Sequence, residues 1–347
     1  MTTRMRSEIG EQPAALRATL DALLPQVSDV GSLARDTRQV LFIARGTSDN
    51  AAVYGRYLVE THAGRLGTLA APSVATTYRS RLDLSGVLAV AVSQSGKTEE
   101  IVETMTWAAD CGARTLAITN GHGSPLAEAA EVALLTEAGD ELAVPATKTY
   151  TTQLAALAVL GLGLGADVDP ADLRRVPDEI ERLIAVTEES PALAEIATEL
   201  SRVPGAVVSG RGIAFGTALE LALKLKEACY LHAMGLSYAD LLHGPIAVVD
   251  RDTPAILVAA DSGPTLPGTV ALAQRVTGEG ARAYTVGGGP ELAAAGSLAL
   301  PGPRLPEWVA PLALIVPGQL LTEALARTLG LDPDVPRGLN KVTQTGV

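Results

Sequence analysis

The sequence predicts an α/β protein with two similar halves, each a doubly wound, flavodoxin-like parallel sheet flanked by helices. Three observations lead there. Short, almost wholly apolar runs alternate with helical stretches, the rhythm of βαβ units. The runs lead into turns bearing Gly, Ser or Asn. The same order of runs and turns returns about 166 residues later, the mark of an internal duplication.

In chain order, a helical segment covers residues 1–30 and the first α/β domain residues 31–168. In that domain Val40 to Ala44, Val87 to Val92 and Thr115 to Thr119 read as strands buried on both faces. Asn50 to Thr61 and Thr98 to Cys111 carry helical patterns. Pro170 to Leu200 is charged and helical in pattern, and a connector is placed at 169–195. The second domain, 196–335, repeats the first. Ala206 to Ser209 matches the first strand and Ala255 to Ala260 the second. Gly212 parallels Gly46, and Ser262-Gly263 parallels Ser95-Gly96. A tail, 336–347, follows.

Composition narrows the function classes. The chain has 347 residues, 47% hydrophobic and 19% charged, enough for two cores and too apolar for a long disordered chain. A formal net charge of -12 argues against a nucleic-acid surface. Cys111 and Cys229 lie far apart, with no nearby metal-ligand spacing, so neither a disulfide framework, a metal nor another cofactor is expected. The polar start, Met1 to Gln12, is not a signal peptide. Leu154 to Gly165 is shorter than the roughly 18 residues a membrane span needs. A soluble, cytoplasmic protein is expected.

The turn Ser93-Gln94-Ser95-Gly96-Lys97-Thr98 follows a strand and opens a helix. A helix N-terminus offers unpaired N–H groups and the positive end of a dipole. Hydroxyls of Ser93, Ser95 and Thr98 add donors, and Gly96 lets the backbone come close. A simple N-cap at Ser95 or Thr98 is the other reading of the same residues. Neither nucleotide-loop pattern is present. Gly46-Thr47-Ser48 forms a second hydroxyl-bearing turn, at the same sheet edge by doubly wound logic. In the second half Asp261-Ser262-Gly263-Pro264 stands at the corresponding place. Its aspartate would repel a phosphate, so one phosphate loop per chain is expected.

Thr217 to His232 has apolar residues around most of a helix, so the helix should be buried. Thr217, Glu220, Lys224 and Glu227 nevertheless fall within roughly 80° of one another. Such a stripe either faces a polar pocket or forms a salt-bridge ladder. Lys226 points the other way. His243-Gly244-Pro245 places an imidazole beside turn formers. A carboxylate and an imidazole are what proton shuttling on a sugar needs. His62, His122 and His232 have less support.

These residues resemble the sugar isomerase (SIS) family, and in particular the isomerase portion of glucosamine-6-phosphate synthase and the stand-alone aminosugar-phosphate deaminases. The likeness covers nearly the whole chain. It is carried by Ala44-Arg45-Gly46-Thr47-Ser48, Ser93 to Thr98, Ala146 to Gln153, Glu220 to Glu227, Leu242-His243-Gly244-Pro245 and Pro336 to Lys341. The resemblance implies two SIS domains and a homodimer whose subunits share each active site. It implies a sugar-phosphate site made by Ser93, Gln94, Ser95 and Thr98, with Thr47, Ser48, Val144 and Glu220. Glu227 would move a proton between carbons 1 and 2, with Lys224 beside it. His243, donated by the neighbouring subunit, would assist ring opening, and Lys341 would close over the sugar.

Two departures stand out. Met1-Thr2-Thr3 leads directly into the SIS portion, with no glutaminase domain or cysteine nucleophile, so no glutaminase activity is expected. Arg45 and Lys97 replace a small and an acidic residue of the synthase pattern, adding positive charge around the pocket. The expected activity is deamination and isomerisation of glucosamine 6-phosphate to fructose 6-phosphate and ammonia. A dehydratase of N-acetylglucosamine 6-phosphate, another phosphosugar isomerase or deglycase, and a non-catalytic sensor are the alternatives.

Overall fold

The computed structural model describes residues 2–341. Residues 342–347, the end of the expected tail, lie outside the described residues. The elements run α1 (Arg4–Leu23), α2 (Val27–Leu33), β1 (Gln39–Ile43), α3 (Thr47–His62), β2 (Leu66–Leu69), α4 (Ser73–Thr76), β3 (Val87–Val92), α5 (Glu99–Asp110), β4 (Arg114–Thr119), α6 (Pro125–Ala129), β5 (Val132–Leu135) and α7 (Lys148–Gly163). They continue α8 (Ala171–Glu188), α9 (Pro191–Leu200), β6 (Gly205–Gly210), α10 (Phe215–Cys229), β7 (His232–Ser237), α11 (Tyr238–Leu242), β8 (Ala255–Ala259), α12 (Leu266–Gly278), β9 (Ala283–Gly287), α13 (Gly289–Ala295), β10 (Leu298–Leu300) and α14 (Pro311–Thr328).

The chain packs as two units. The N-terminal unit comprises residues 14–141, 148–174 and 340–341. Its sheet has the order β2-β1-β3-β4-β5, and every neighbouring pair is parallel. β3 is buried at all six positions, as its run Val-Leu-Ala-Val-Ala-Val requires. One face packs on α5 and α6 through Ile43, Ala89, Ala91, Met105 and Leu126. On α7 the apolar residues go right round the helix, which is almost wholly buried.

The C-terminal unit comprises residues 2–13, 142–147 and 175–339. Its sheet, β10-β9-β8-β6-β7, is again parallel throughout. That order reproduces the first sheet strand for strand, as the duplication in the sequence predicts. Val207, Leu257, Leu272 and Ala283 sit in a core beneath α12 and α13.

In each sheet the strand order reverses beside its first strand, between β1 and β3 and between β6 and β8. In doubly wound folds the crevice at that switch point, outside the carboxyl ends of the strands, is where ligands bind. β1 leads into Gly46-Thr47-Ser48 and β3 into Ser93 to Thr98. Both hydroxyl turns therefore flank the first switch point.

Among the described residues no helix is long and apolar enough to cross a membrane. Cys229 is buried and its Sγ lies 3.3 Å from the Thr322 carbonyl. Burial pushes its thiol up to about 12. Cys111 is half-buried and free.

Candidate active site

In the N-terminal unit, Gly96 shapes the loop after β3. Its φ of 64° is left-handed, and a side chain would lie 2.8 Å from Thr119 Oγ1 and 2.7 Å from Ser124 Cβ. Only glycine fits both limits. Loop carbonyls turn inward. Gln94 O accepts from Asn120 N at 3.0 Å, and Gly96 O from Leu126 N at 3.1 Å.

The hydroxyls hold the turn without spending their protons. Ser93 Oγ accepts from Gly96 N at 3.3 Å, and Ser95 Oγ from Lys97 N at 3.2 Å. Each bond uses a lone pair and leaves an O–H to donate. Thr98 stands at the N-cap of α5 in extended backbone, yet its side chain makes no capping bond. The plain N-cap reading therefore lacks the bond that defines it. Ser93 is buried, while Gln94, Ser95 and Thr98 are half-buried at the rim.

Gly46 precedes α3 with φ 58°, and Thr47 and Ser48 open that helix, with Ser48 buried. Arg45 adds less positive charge than its sequence suggests. Its guanidinium forms a fork on Glu100 in the first turn of α5, at 2.9 and 3.0 Å. Asp49, one turn on, is raised above the usual carboxylate range by burial, against the pull of Arg45.

A carboxylate that sequence reasoning missed also lies in this unit. Glu141 is buried and accepts from Thr149 N at 3.1 Å, Thr149 Oγ1 at 2.7 Å and Lys341 Nζ at 2.6 Å. Lys341, expected to close over a sugar, has its ammonium on this carboxylate. In sequence Glu141 reads as one more charge in the loop between β5 and α7.

In the C-terminal unit, α10 ends at Cys229. Tyr230 turns left-handed at φ 55°, and His232 already belongs to β7, paired with Gly205. The helical pattern read as far as His232 thus stops three residues sooner. Within the helix the stripe is real. Thr217, Glu220 and Lys224 are buried and Glu227 is partly open. Lys224 Nζ lies 2.5 Å from Glu227 Oε2 and 3.4 Å from Glu220 Oε1. Lys226 is exposed, as expected.

Lys224 thus carries two carboxylates, one sealed and one open. The Glu220 side chain is 0% exposed and that of Glu227 23%. Removing the cation from a buried ion cluster costs about 3–5 kcal/mol. Lys224→Met should accordingly lower unfolding stability by that amount, read from the denaturant midpoint. A midpoint shift worth less than about 1 kcal/mol would mean the carboxylates do not depend on this cation.

His243 ends α11 and is exposed, between Leu242 at 40% and Val248 at 43% exposure. Among the described residues its imidazole makes no ion pair or hydrogen bond with the other expected site residues. Val144 is half-buried, and its N–H donates to Asp334 O at 2.9 Å.

The counterpart loop after β8 is filled from within. Glu307 places its carboxylate over Gly263, whose φ is 116°, with Oε1 2.7 Å from where a Cβ would stand. Burial raises this carboxyl above the usual carboxylate range, against the pull of Thr265, the N-cap residue of α12. Asp261 turns away and accepts from Gly289 N at 3.0 Å. An internal carboxylate therefore lies against the loop that leads into α12.

The SIS domain family matches residues 33–162 and 199–293, one stretch on each sheet. The chain belongs to the SIS domain family. Glutamine–fructose-6-phosphate aminotransferase (isomerizing) of Methanothermobacter thermautotrophicus is 36% identical over 345 residues, 97% of this chain and 56% of that protein. The chain thus spans little more than half the length of the curated relatives it matches. Among solved structures, the C-terminal domain of glucosamine-fructose-6-phosphate aminotransferase from Francisella tularensis matches with a TM-score of 0.88 and 27% identity. That match covers 97% of this chain and 99% of the other. Glucosamine-6-phosphate deaminase from Thermotoga maritima matches with a TM-score of 0.79, covering 99% of this chain and 100% of the other; at 24% identity it shows shared SIS architecture alone.

Proposed function

We propose that this SIS protein is a sugar-phosphate enzyme that converts glucosamine 6-phosphate to fructose 6-phosphate and ammonia. The observation that carries the reading is the α10 stripe. What separates it from a plain salt-bridge ladder is that one of its carboxylates stays open. Here Lys224 holds two, and the outer one, Glu227, is reachable from solvent. A carboxylate held and oriented by a buried ammonium, yet open on one side, suits a base that takes a proton from carbon.

Ser93, Gln94, Ser95 and Thr98, with Thr47 and Ser48, take the phosphate. Val144 and Glu220 line the sugar site. His243 helps open the ring and Lys341 closes over the sugar. Glu227 removes the carbon-2 proton and returns one to carbon 1, moving the double bond from the open-chain aldehyde to a carbon-2 imine. Water adds to that imine and ammonia leaves. Water is the only co-reactant, so glutamine takes no part. His243, exposed between apolar Leu242 and Val248, fits donation to a second copy, so the working form is a homodimer.

Incubation with glucosamine 6-phosphate should release ammonia and fructose 6-phosphate without added glutamine. An ultraviolet-absorbing unsaturated product from N-acetylglucosamine 6-phosphate, with no ammonia, would move the assignment to dehydration. Inertness towards both, with binding retained, would make the chain a sensor.

A further inference from the structure

We propose that α1 belongs to the substrate machinery, and that Glu8 on it is a positioning residue for the segment 142–147. This rests on the reading that gives Val144 to the substrate.

The segment runs from Leu142 to Thr147, and four of its six residues are tied through their backbone within the C-terminal unit. Glu8, only 3% exposed, accepts from Leu142 N at 2.5 Å and from Ala143 N at 3.3 Å. Val144 N donates to Asp334 O at 2.9 Å. At the far end Thr147 O accepts from Gln319 Nε2 at 3.3 Å, and Gln319 Oε1 accepts from Gln12 Nε2 at 2.9 Å. Asp334 also returns to α1, where its carboxylate accepts from Arg4 N and Met5 N at 2.8 Å each.

Arg4 and Met5 take part through main-chain N–H groups at the start of α1, whereas Glu8 and Gln12, four residues apart, act through side chains that share one face of the helix. That face reaches both ends of the segment directly or through one partner. The ties go to main-chain groups, so they fix the path of the chain whatever side chains it carries. Leu142 shows the consequence. Its side chain is 62% exposed, so apolar burial does not hold it, while its N–H is bonded to a buried carboxylate. A charge-assisted bond of this kind is about twice as strong as a neutral one. Glu8 is thus the anchor that keeps the backbone before Val144 in one path.

The test uses the full-length protein and two variants, Glu8→Ala and Glu8→Gln. Glu8→Ala should raise amide hydrogen exchange at Leu142 and Ala143 by about ten- to a hundredfold. It should weaken fructose 6-phosphate binding about tenfold or more, leaving inorganic phosphate affinity within about twofold. Glu8→Gln keeps one acceptor oxygen and should fall between; it carries the test if Glu8→Ala does not fold. Unchanged exchange at both amides would overturn the proposal. So would raised exchange with unaltered fructose 6-phosphate affinity, or equal losses for the sugar and for inorganic phosphate. A wild-type protein that binds inorganic phosphate but neither fructose 6-phosphate nor glucosamine 6-phosphate would overturn the underlying reading, and this proposal with it.

Discussion

Replacing Glu227 by glutamine should cut turnover of glucosamine 6-phosphate by about 10²–10⁴-fold, the worth of one general base. Inorganic phosphate affinity should stay as it was. Glutamine matches the shape of the side chain and keeps a carbonyl oxygen for the Lys224 ammonium, 2.5 Å away in the native pair. What it loses is the ability to take a proton. Glu220 cannot substitute, because its side chain is sealed from solvent. Ammonia release under steady state and a phosphate titration read the two halves of the expectation. Near-normal turnover would remove Glu227 from the chemistry.

The second large effect belongs to the loop after β3. Ser95→Ala combined with Thr98→Ala should weaken sugar-phosphate binding by about 3–6 kcal/mol, from two charge-assisted bonds at about 1.5–3 kcal/mol each. That is about 10²–10⁴-fold in KM. The α5 dipole, worth about 0.3–1 kcal/mol, stays in place and cannot make good the loss. The folding cost should be small. Thr98 makes no capping bond, and the Ser95 hydroxyl accepts only a local bond from Lys97 N at 3.2 Å. Thermal unfolding separates the two effects. A KM that does not move would refute the phosphate loop.

The sequence made the middle of each sheet legible. β3 and β8 are buried at every position and appear as unbroken apolar runs, and β6, also buried throughout, shows Ala206-Val207-Val208 before Ser209, so sequence and structure place the ends of all three within a residue or so. The edge strands were not legible. β2 and β10 have four and three residues and mixed burial, and Leu66 is 59% exposed. An edge strand has a partner on one side only, and no periodicity develops over so few residues. The end of α10 was missed because Tyr230 takes a left-handed conformation rare for a bulky residue.

Of the candidate site, the residues on regular elements could be read. Ser93 to Thr98 follow a buried strand, and the α10 charges share one helical face. Glu8, Glu141 and Glu307 could not be read. Each gains its role from a partner far along the chain or in a structureless loop. Glu8 meets residues 142 and 143, Glu141 meets Lys341, and Glu307 reaches back to Gly263. A lone acidic residue in sequence is an ordinary surface charge until the fold brings donors to it.

The central claim is that a SIS chain with this α10 stripe takes a proton from carbon 2 of a sugar phosphate. Nuclear magnetic resonance of the reaction run in deuterium oxide tests it most directly. The wild-type protein should take the original hydrogen from carbon 2 of glucosamine 6-phosphate and give fructose 6-phosphate that carries at carbon 1 either that hydrogen, handed on by Glu227, or solvent deuterium exchanged onto Glu227. Glu227→Gln should leave the carbon-2 hydrogen in place. Ammonia release with the original hydrogen still at carbon 2 of the product, or the same loss of that hydrogen with and without Glu227, would contradict the account.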